Sequence, residues 1–188
     1  QNRYLFNGDI VDRGGHAVEI LLLLFAIKRD CPESLEILRG NHEDTNCTIH
    51  YGFKMELEAK FAEHLSAVWN VCTTSVFPLL PIAAVCTDVL NGYRIAVVHG
   101  GIPVDLPGYP PPVSLEELRR VDRQRPTVQK LPVSDQGGQL LYNFMWADPA
   151  ETQEEKNSSN SRAGKFLESD SREFCERNGI SLLVRSHE

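Results

Sequence analysis

Four short polar turns, each placed after a strand-like run, carry the side chains that could do chemistry in this 188-residue chain. They are Gly8-Asp9-Ile10-Val11-Asp12-Arg13-Gly14, Arg39-Gly40-Asn41-His42-Glu43, His99-Gly100-Gly101 and Arg185-Ser186-His187-Glu188. Ligand sites in layered α/β folds lie beyond strand ends, so side chains from separate turns are expected to converge on one point. Carboxylate, amide oxygen and imidazole together suit Mn, Fe or Zn, and no thiolate cluster is offered. Asp9, Asn41, His99 and His187 form a four-ligand set, and an Asp can also bridge two metals. Two metals about 3.5–4 Å apart polarise a phosphoryl oxygen and hold a hydroxide in line for attack. His42 is read differently, because adjacent ligands rarely aim at one metal. It suits the general acid that protonates a leaving alkoxide, with Asp12 as the carboxylate that would orient and charge it. Arg13, Arg39, and Arg162 or Arg185 are candidates for the guanidinium fork on phosphate oxygens.

Each of these signals also has an ordinary structural reading. A lone His is more often a satisfied structural residue, the glycines can be turn formers, and Asp12 with Arg13 can be an ion pair. What carries weight is the repetition, since turns of matching chemistry follow four separate strands.

The elements that must position these turns can be read from periodicity. Arg3 to Asn7 is a short apolar strand, Gly15 to Asp30 a helix stopped by Cys31-Pro32, and Leu35 to Leu38 the next strand. That order is a βαβ unit with parallel strands and a right-handed crossover. The apolar residues of the helix cover most of its circumference, so it is expected to pack on a sheet. From about Ile49 to Leu80 the chain reads as helical, with Phe53, Leu57, Phe61, Leu65 and Val68 as core. Ile82 to Thr87 and Tyr93 to Val98 read as a hairpin around Asn91-Gly92. A Pro-rich stretch from Pro103 to Gly138 holds one helical patch, Ser114 to Val121, opened by a Ser114/Glu117 capping box. Ala150 to Gly164 is polar and reads as a surface loop. A helix from about Phe166 to Asn178 ends at Gly179, and the strand Ile180 to Val184 delivers the last turn.

Composition sets outer bounds. With 41% hydrophobic and 24% charged residues the chain is an ordinary globular one, of a length that suits one domain. Its net charge of -7 argues against a nucleic-acid partner. The longest apolar stretch, Ala17 to Ile27, contains Glu19 and is too short to span a bilayer. Five scattered cysteines without a CxxC pair fit a reduced, cytoplasmic or nuclear chain in which most thiols are small core residues.

At these residues the sequence resembles the phosphoprotein phosphatase family of serine/threonine protein phosphatases, within the calcineurin-like metallophosphoesterases. GDIVDRG (Gly8 to Gly14), LRGNHE (Leu38 to Glu43), YGF (Tyr51 to Phe53), VHGGI (Val98 to Ile102), MWADP (Met145 to Pro149) and RSHE (Arg185 to Glu188) stand in the family's order and spacing. Ser114 to Pro126 is similar to the branch with tetratricopeptide or EF-hand regulatory segments. The resemblance implies a layered α/β fold, two mixed sheets packed as a sandwich with helices outside. It implies Asp9 as the metal-bridging carboxylate and Asn41, His99 and His187 as ligands of the second metal. It makes His42 the general acid, Asp12 its partner, and Arg13 and Arg162 the phosphate grips. Around Arg162 the chain departs from the family pattern, with Arg162-Ala163-Gly164-Lys165-Phe166 where an Arg-Gly, a Ser and an aromatic-Gly pair are usual.

The implied activity is hydrolysis of phosphoserine and phosphothreonine on proteins by a metal-activated hydroxide. The implied partners are phosphoprotein substrates and a regulatory domain or subunit. A dinucleoside-polyphosphate hydrolase and a non-catalytic phosphoprotein-binding relative are the competing readings. The family's GDxHG block, which supplies first-metal ligands, and its C-terminal active-site block do not occur in these residues, so residues 1–188 read as a partial catalytic domain. Alone they are expected to turn over p-nitrophenyl phosphate with manganese far more slowly than the full-length protein, and equal rates would refute this.

Overall fold

In the computed structural model, which describes residues 2–128, 134–158 and 163–187, β1 (Tyr4–Phe6) pairs in parallel with β2 (Leu35–Ile37). The connection is α1 (Ala17–Asp30), as the βαβ reading requires. The chain divides into two units, Gln1–Pro81 with Gln124–Thr127, and Ile82–Arg123 with Val128–Glu188. The organisation is α/β throughout, with a parallel pair in the first unit and a mixed sheet in the second. No described helix is long and apolar enough to cross a membrane.

The first unit packs around α1 and the helices after β2. These are α2 (Thr45–His50), α3 (Phe53–Phe61) and α4 (Leu65–Asn70). Val11, Leu21, Leu24, Ile37, Phe53, Leu57 and Phe77 form the buried core, and Phe61, Leu65 and Val68 pack against it partly exposed. The periodic stripe is therefore core, most fully at its N-terminal end. α1 turns one face to that core. Ala17, Leu21 and Leu24 are buried, whereas Leu22 and Leu23 on other faces are more than half exposed. After α4 the helical ladder loosens into a π-helical stretch, Val71–Val76, and a 3-10 turn, Phe77–Leu79. The hydroxyls of Thr73 and Thr74 donate back to the carbonyls of Trp69 and Asn70, which loosens a helix.

In the second unit β3 (Ala83–Thr87) runs antiparallel to β4 (Arg94–Val98), and β4 runs parallel to β7 (Leu182–Val184). The hairpin loop is longer than a two-residue turn, since the last pair is Thr87 with Arg94. Asp88 builds the loop by accepting from the Leu90 N–H and the Asn91 side chain, and Gly92 takes a left-handed φ of 68°. The capping box opens α5 (Leu115–Arg120) as expected.

Sequence reasoning missed α6 (Gln136–Trp146). The helix holds Gly137-Gly138 in its first turn; Asp135 caps it through the Gly138 N–H, and Leu140, Leu141, Phe144, Met145 and Trp146 are buried. The polar stretch after it is more ordered than a plain loop. It is framed by the short parallel pair β5 (Asp148–Pro149) and β6 (Lys165–Phe166), and it contains α7 (Gln153–Lys156), capped by Thr152. Phe166 therefore belongs to β6, and α8 spans Glu168–Asn178 with Gly179 left-handed behind it. Cys47 is buried, but Cys31 and Cys86 are exposed and Cys72 and Cys175 are half-buried, so the thiols are not mainly core.

The first turn of α1 has no side-chain cap of its own. Glu56 of α3, nearly buried, supplies it by accepting from the N–H groups of Ala17 and Val18 at 3.1 and 3.0 Å. Glu56→Ala leaves those donors unpaired and is expected to cost about 1–2 kcal/mol. The melting temperature, followed by calorimetry, should fall by about 2–8 °C.

Candidate functional site

The turns that follow β1 and β2 are tied together by one carboxylate. Glu43 is fully buried, and its Oε2 accepts from the N–H groups of Asp9 and Gly40, both at 2.8 Å. Its Oε1 accepts from Ile10 at 2.7 Å and Val11 at 3.2 Å. The approach requires Gly40, where a Cβ would lie 2.4 Å from both the nitrogen and a carboxylate oxygen of Asp9. The held loop is strained: Asp9, Asp12 and Arg13 all take left-handed backbone, with φ of 55°, 72° and 56°. Burial, and after it the Asp9 carboxylate, push the Glu43 pKa above the usual carboxylate range against the pull of the backbone N–H groups. Sequence reasoning gave Glu43 no role, because nothing local separates it from a solvated glutamate.

The same loop presents the Asp12–His42 pair. His42 Nδ1 lies 2.7 Å from Asp12 Oδ2, with both side chains almost entirely buried. An ionised carboxylate only accepts, so Nδ1 carries the proton. The other Asp12 oxygen accepts the Phe53 N–H at 2.8 Å, the first helical N–H of α3. Asp9 Oδ1 in turn accepts the His42 main-chain N–H at 3.1 Å. Asp9, Asp12, Asn41 and His42 are thus brought together, with Asn41 buried between Gly40 and His42 and Arg13 exposed on the loop.

In the second unit the turns after β4 and β7 meet at one carbonyl. The His99 oxygen accepts the N–H groups of Ser186 and His187 at 3.0 and 2.9 Å, and the two imidazoles stand 5.7 Å apart edge to face. His187 Nδ1 donates to Asp148 Oδ1 at 2.9 Å, and the ring packs against Trp146 at 5.5 Å. Asp148, from the MWADP stretch, is a second residue without a role in the sequence reading. It fixes His187 so that any metal bond would use Nε2, the carboxylate–histidine arrangement common behind metal ligands. Gly100 and Gly101 pass so close to α6, Ala147 and Phe166 that a Cβ would meet Met145, Trp146 or Phe166 atoms at 2.1–2.5 Å.

Two of the arginine candidates are structural. Arg39 is fully buried, donates from Nε to the Glu43 carbonyl at 2.9 Å, and has its pKa lowered by burial. Arg185 spends its guanidinium on the Gly100 carbonyl and Asp148. Arg162 lies outside the described residues. No cluster of three or more His, Cys, Asp or Glu forms a metal site among the described residues. The expected ligands distribute as a carboxylate and an amide oxygen in the first unit and two imidazoles in the second, donors whose chemistry fits a borderline metal ion.

Glu43→Gln turns one acceptor into a donor facing backbone donors, so it is expected to destabilise by about 1–3 kcal/mol. A matching fall in the denaturant midpoint at unchanged slope would show it, and an unchanged midpoint would contradict the account.

Known proteins extend this picture. The Calcineurin-like phosphoesterase family profile matches residues 1–188. The chain is 36% identical over its whole length to serine/threonine-protein phosphatase T of Aspergillus oryzae, of which it covers 35%. It is 36% identical to serine/threonine-protein phosphatase 5 of Arabidopsis thaliana, of which it covers 31%. A solved serine/threonine phosphatase from Saccharomyces cerevisiae, described as similar to human phosphatase PP5, superposes with a TM-score of 0.77. That match, at 29% identity, covers 99% of this chain and 51% of the other. The chain thus spans about a third of the curated relatives, and the family implies metal ions as cofactors. With motif order, fold and profile in agreement over its full length, the chain belongs to the calcineurin-like phosphoesterase family.

Proposed function

We propose that the protein containing this chain hydrolyses phosphoserine and phosphothreonine on other proteins. The observation that carries the reading is the buried pair in which Asp12 holds His42 through Nδ1 at 2.7 Å. Relatives named serine/threonine-protein phosphatase T and 5 support protein substrates, and their greater length supports a regulatory region outside these residues. When bound, two metal ions, drawn from Mn, Fe and Zn, supply a polarised phosphoryl oxygen and an activated water. Asp9, Asn41, His99 and His187 would hold the second of them, with Asp9 shared.

The rest is chemistry of the chain's own side chains. The Arg13 guanidinium takes two phosphoryl oxygens, and Arg162 is its proposed companion. His42, protonated on both nitrogens, gives the Nε2 proton to the departing serine or threonine oxygen. Asp12 keeps the ring oriented for that transfer through the Nδ1 hydrogen bond. The Phe53 N–H holds Asp12 as an acceptor, so the pair stays aligned.

His42→Asn in the full-length protein is expected to lower kcat by about 10²–10⁴-fold at unchanged metal content, measured with a phosphopeptide and by elemental analysis. Unchanged turnover would refute the acid role. Wild-type turnover of a dinucleoside polyphosphate in place of the phosphopeptide would refute the protein-substrate reading.

A further inference from the structure

Arg13 is held in an unusual way for a phosphate-gripping side chain. It is exposed, its backbone is left-handed, and no carboxylate pairs with it among the described residues. What it does meet is Tyr51. The guanidinium carbon stands over the Tyr51 ring, 5.8 Å from the centroid, within cation–π range. The Arg13 N–H donates to the Tyr51 carbonyl at 3.0 Å, so main chain and side chain are held by one residue. The same ring packs edge to face against His42, with centroids 4.8 Å apart and planes at 75°. Tyr51 itself is anchored at the end of α2, its N–H donating to the Cys47 carbonyl at 3.0 Å.

We propose that Tyr51 is a positioning residue whose ring pre-orients the Arg13 guanidinium, next to the His42 acid, for a tetrahedral phosphoryl group. A long arginine side chain loses rotamer freedom when it grips an anion, and a neutral aromatic face that limits that freedom beforehand strengthens binding. A carboxylate could hold Arg13 as firmly, but it would compete with the phosphate, whereas a π face leaves the N–H fork available. The inference rests on the phosphoester-hydrolase reading and concerns phosphate binding within it.

The test is a double-mutant cycle in the full-length protein with p-nitrophenyl phosphate as substrate and inorganic phosphate as inhibitor. Tyr51→Leu is expected to raise KM and the phosphate inhibition constant together, each by about three- to fivefold. Tyr51→Phe, which keeps the ring, should return both to within about twofold of wild type. In an Arg13→Ala background Tyr51→Leu should add nothing further, because the ring acts through the guanidinium. If Tyr51→Leu lowers the melting temperature, Tyr51→Met carries the same expectation. Active wild type with an unchanged KM in both Tyr51→Leu and Tyr51→Met overturns this inference and leaves the hydrolase reading standing. So does an equal Tyr51→Leu effect with and without Arg13. Wild type that hydrolyses neither p-nitrophenyl phosphate nor a phosphopeptide overturns both.

Discussion

Glu43 is fully buried in the first unit, and removing a carboxylate from water costs several kcal/mol unless hydrogen bonds replace the lost solvation. The replacement comes from the N–H groups of Asp9, Ile10, Val11 and Gly40, which belong to the ends of two separate strands. The arrangement couples the solvation of one charge to the shape of two loops. If either loop moves, the buried acceptor and the backbone donors that face it lose their partners. That coupling is what lets Asp9, Asp12 and Arg13 remain in left-handed backbone, a conformation costing of order 1–3 kcal/mol per residue. Asp9 and the Asp12–His42 pair are placed by this loop, so their geometry is inherited from Glu43.

The same device recurs around α3. Its N-terminal Phe53 N–H holds Asp12, while Glu56, one turn later, satisfies the start of α1. Phe53 and Leu57, on the buried side of the helix, are core residues. One short helix therefore fixes the orientation of the proposed acid, the start of the crossover helix and the packing of the unit. Carboxylates at helix N-termini are favourable because the first N–H groups have no partner within the helix. Here the partners come from distant sequence, which turns local capping into tertiary organisation.

In the second unit the acceptor at the centre is a carbonyl. His99 receives two consecutive N–H groups from the turn after β7, and Asp148 fixes the His187 ring while also accepting from Arg185. Close approach does the rest. Gly100 and Gly101 lie against α6, Ala147 and Phe166 with no space for a side chain, so the two histidines are delivered at a defined separation. An arginine read from sequence as a phosphate grip, Arg185, is here a structural strut, its Nε donating to the Gly100 carbonyl and its Nη2 to Asp148.

Sequence by itself determined the strands that precede the four turns, the βαβ crossover, the stripe through Phe53 and Leu57, the Ser114/Glu117 cap and the Gly179 stop. All of these follow from short-range rules of periodicity, capping and backbone freedom. It also named Asp9, Asp12, Asn41 and His42, because unusual residue types at a turn are visible without coordinates. It could not show that Glu43, Glu56 and Asp148 matter more to placement than their charged neighbours, nor that Arg39 is fully buried and Arg185 held by Gly100 and Asp148. It missed α6 as well, where a glycine pair argues against a helix that burial of Leu140, Leu141 and Phe144 upholds. The physical reason is common to these cases. Whether a charge is solvated, buried or already paired depends on which distant backbone groups surround it, and that is decided only when the chain has folded.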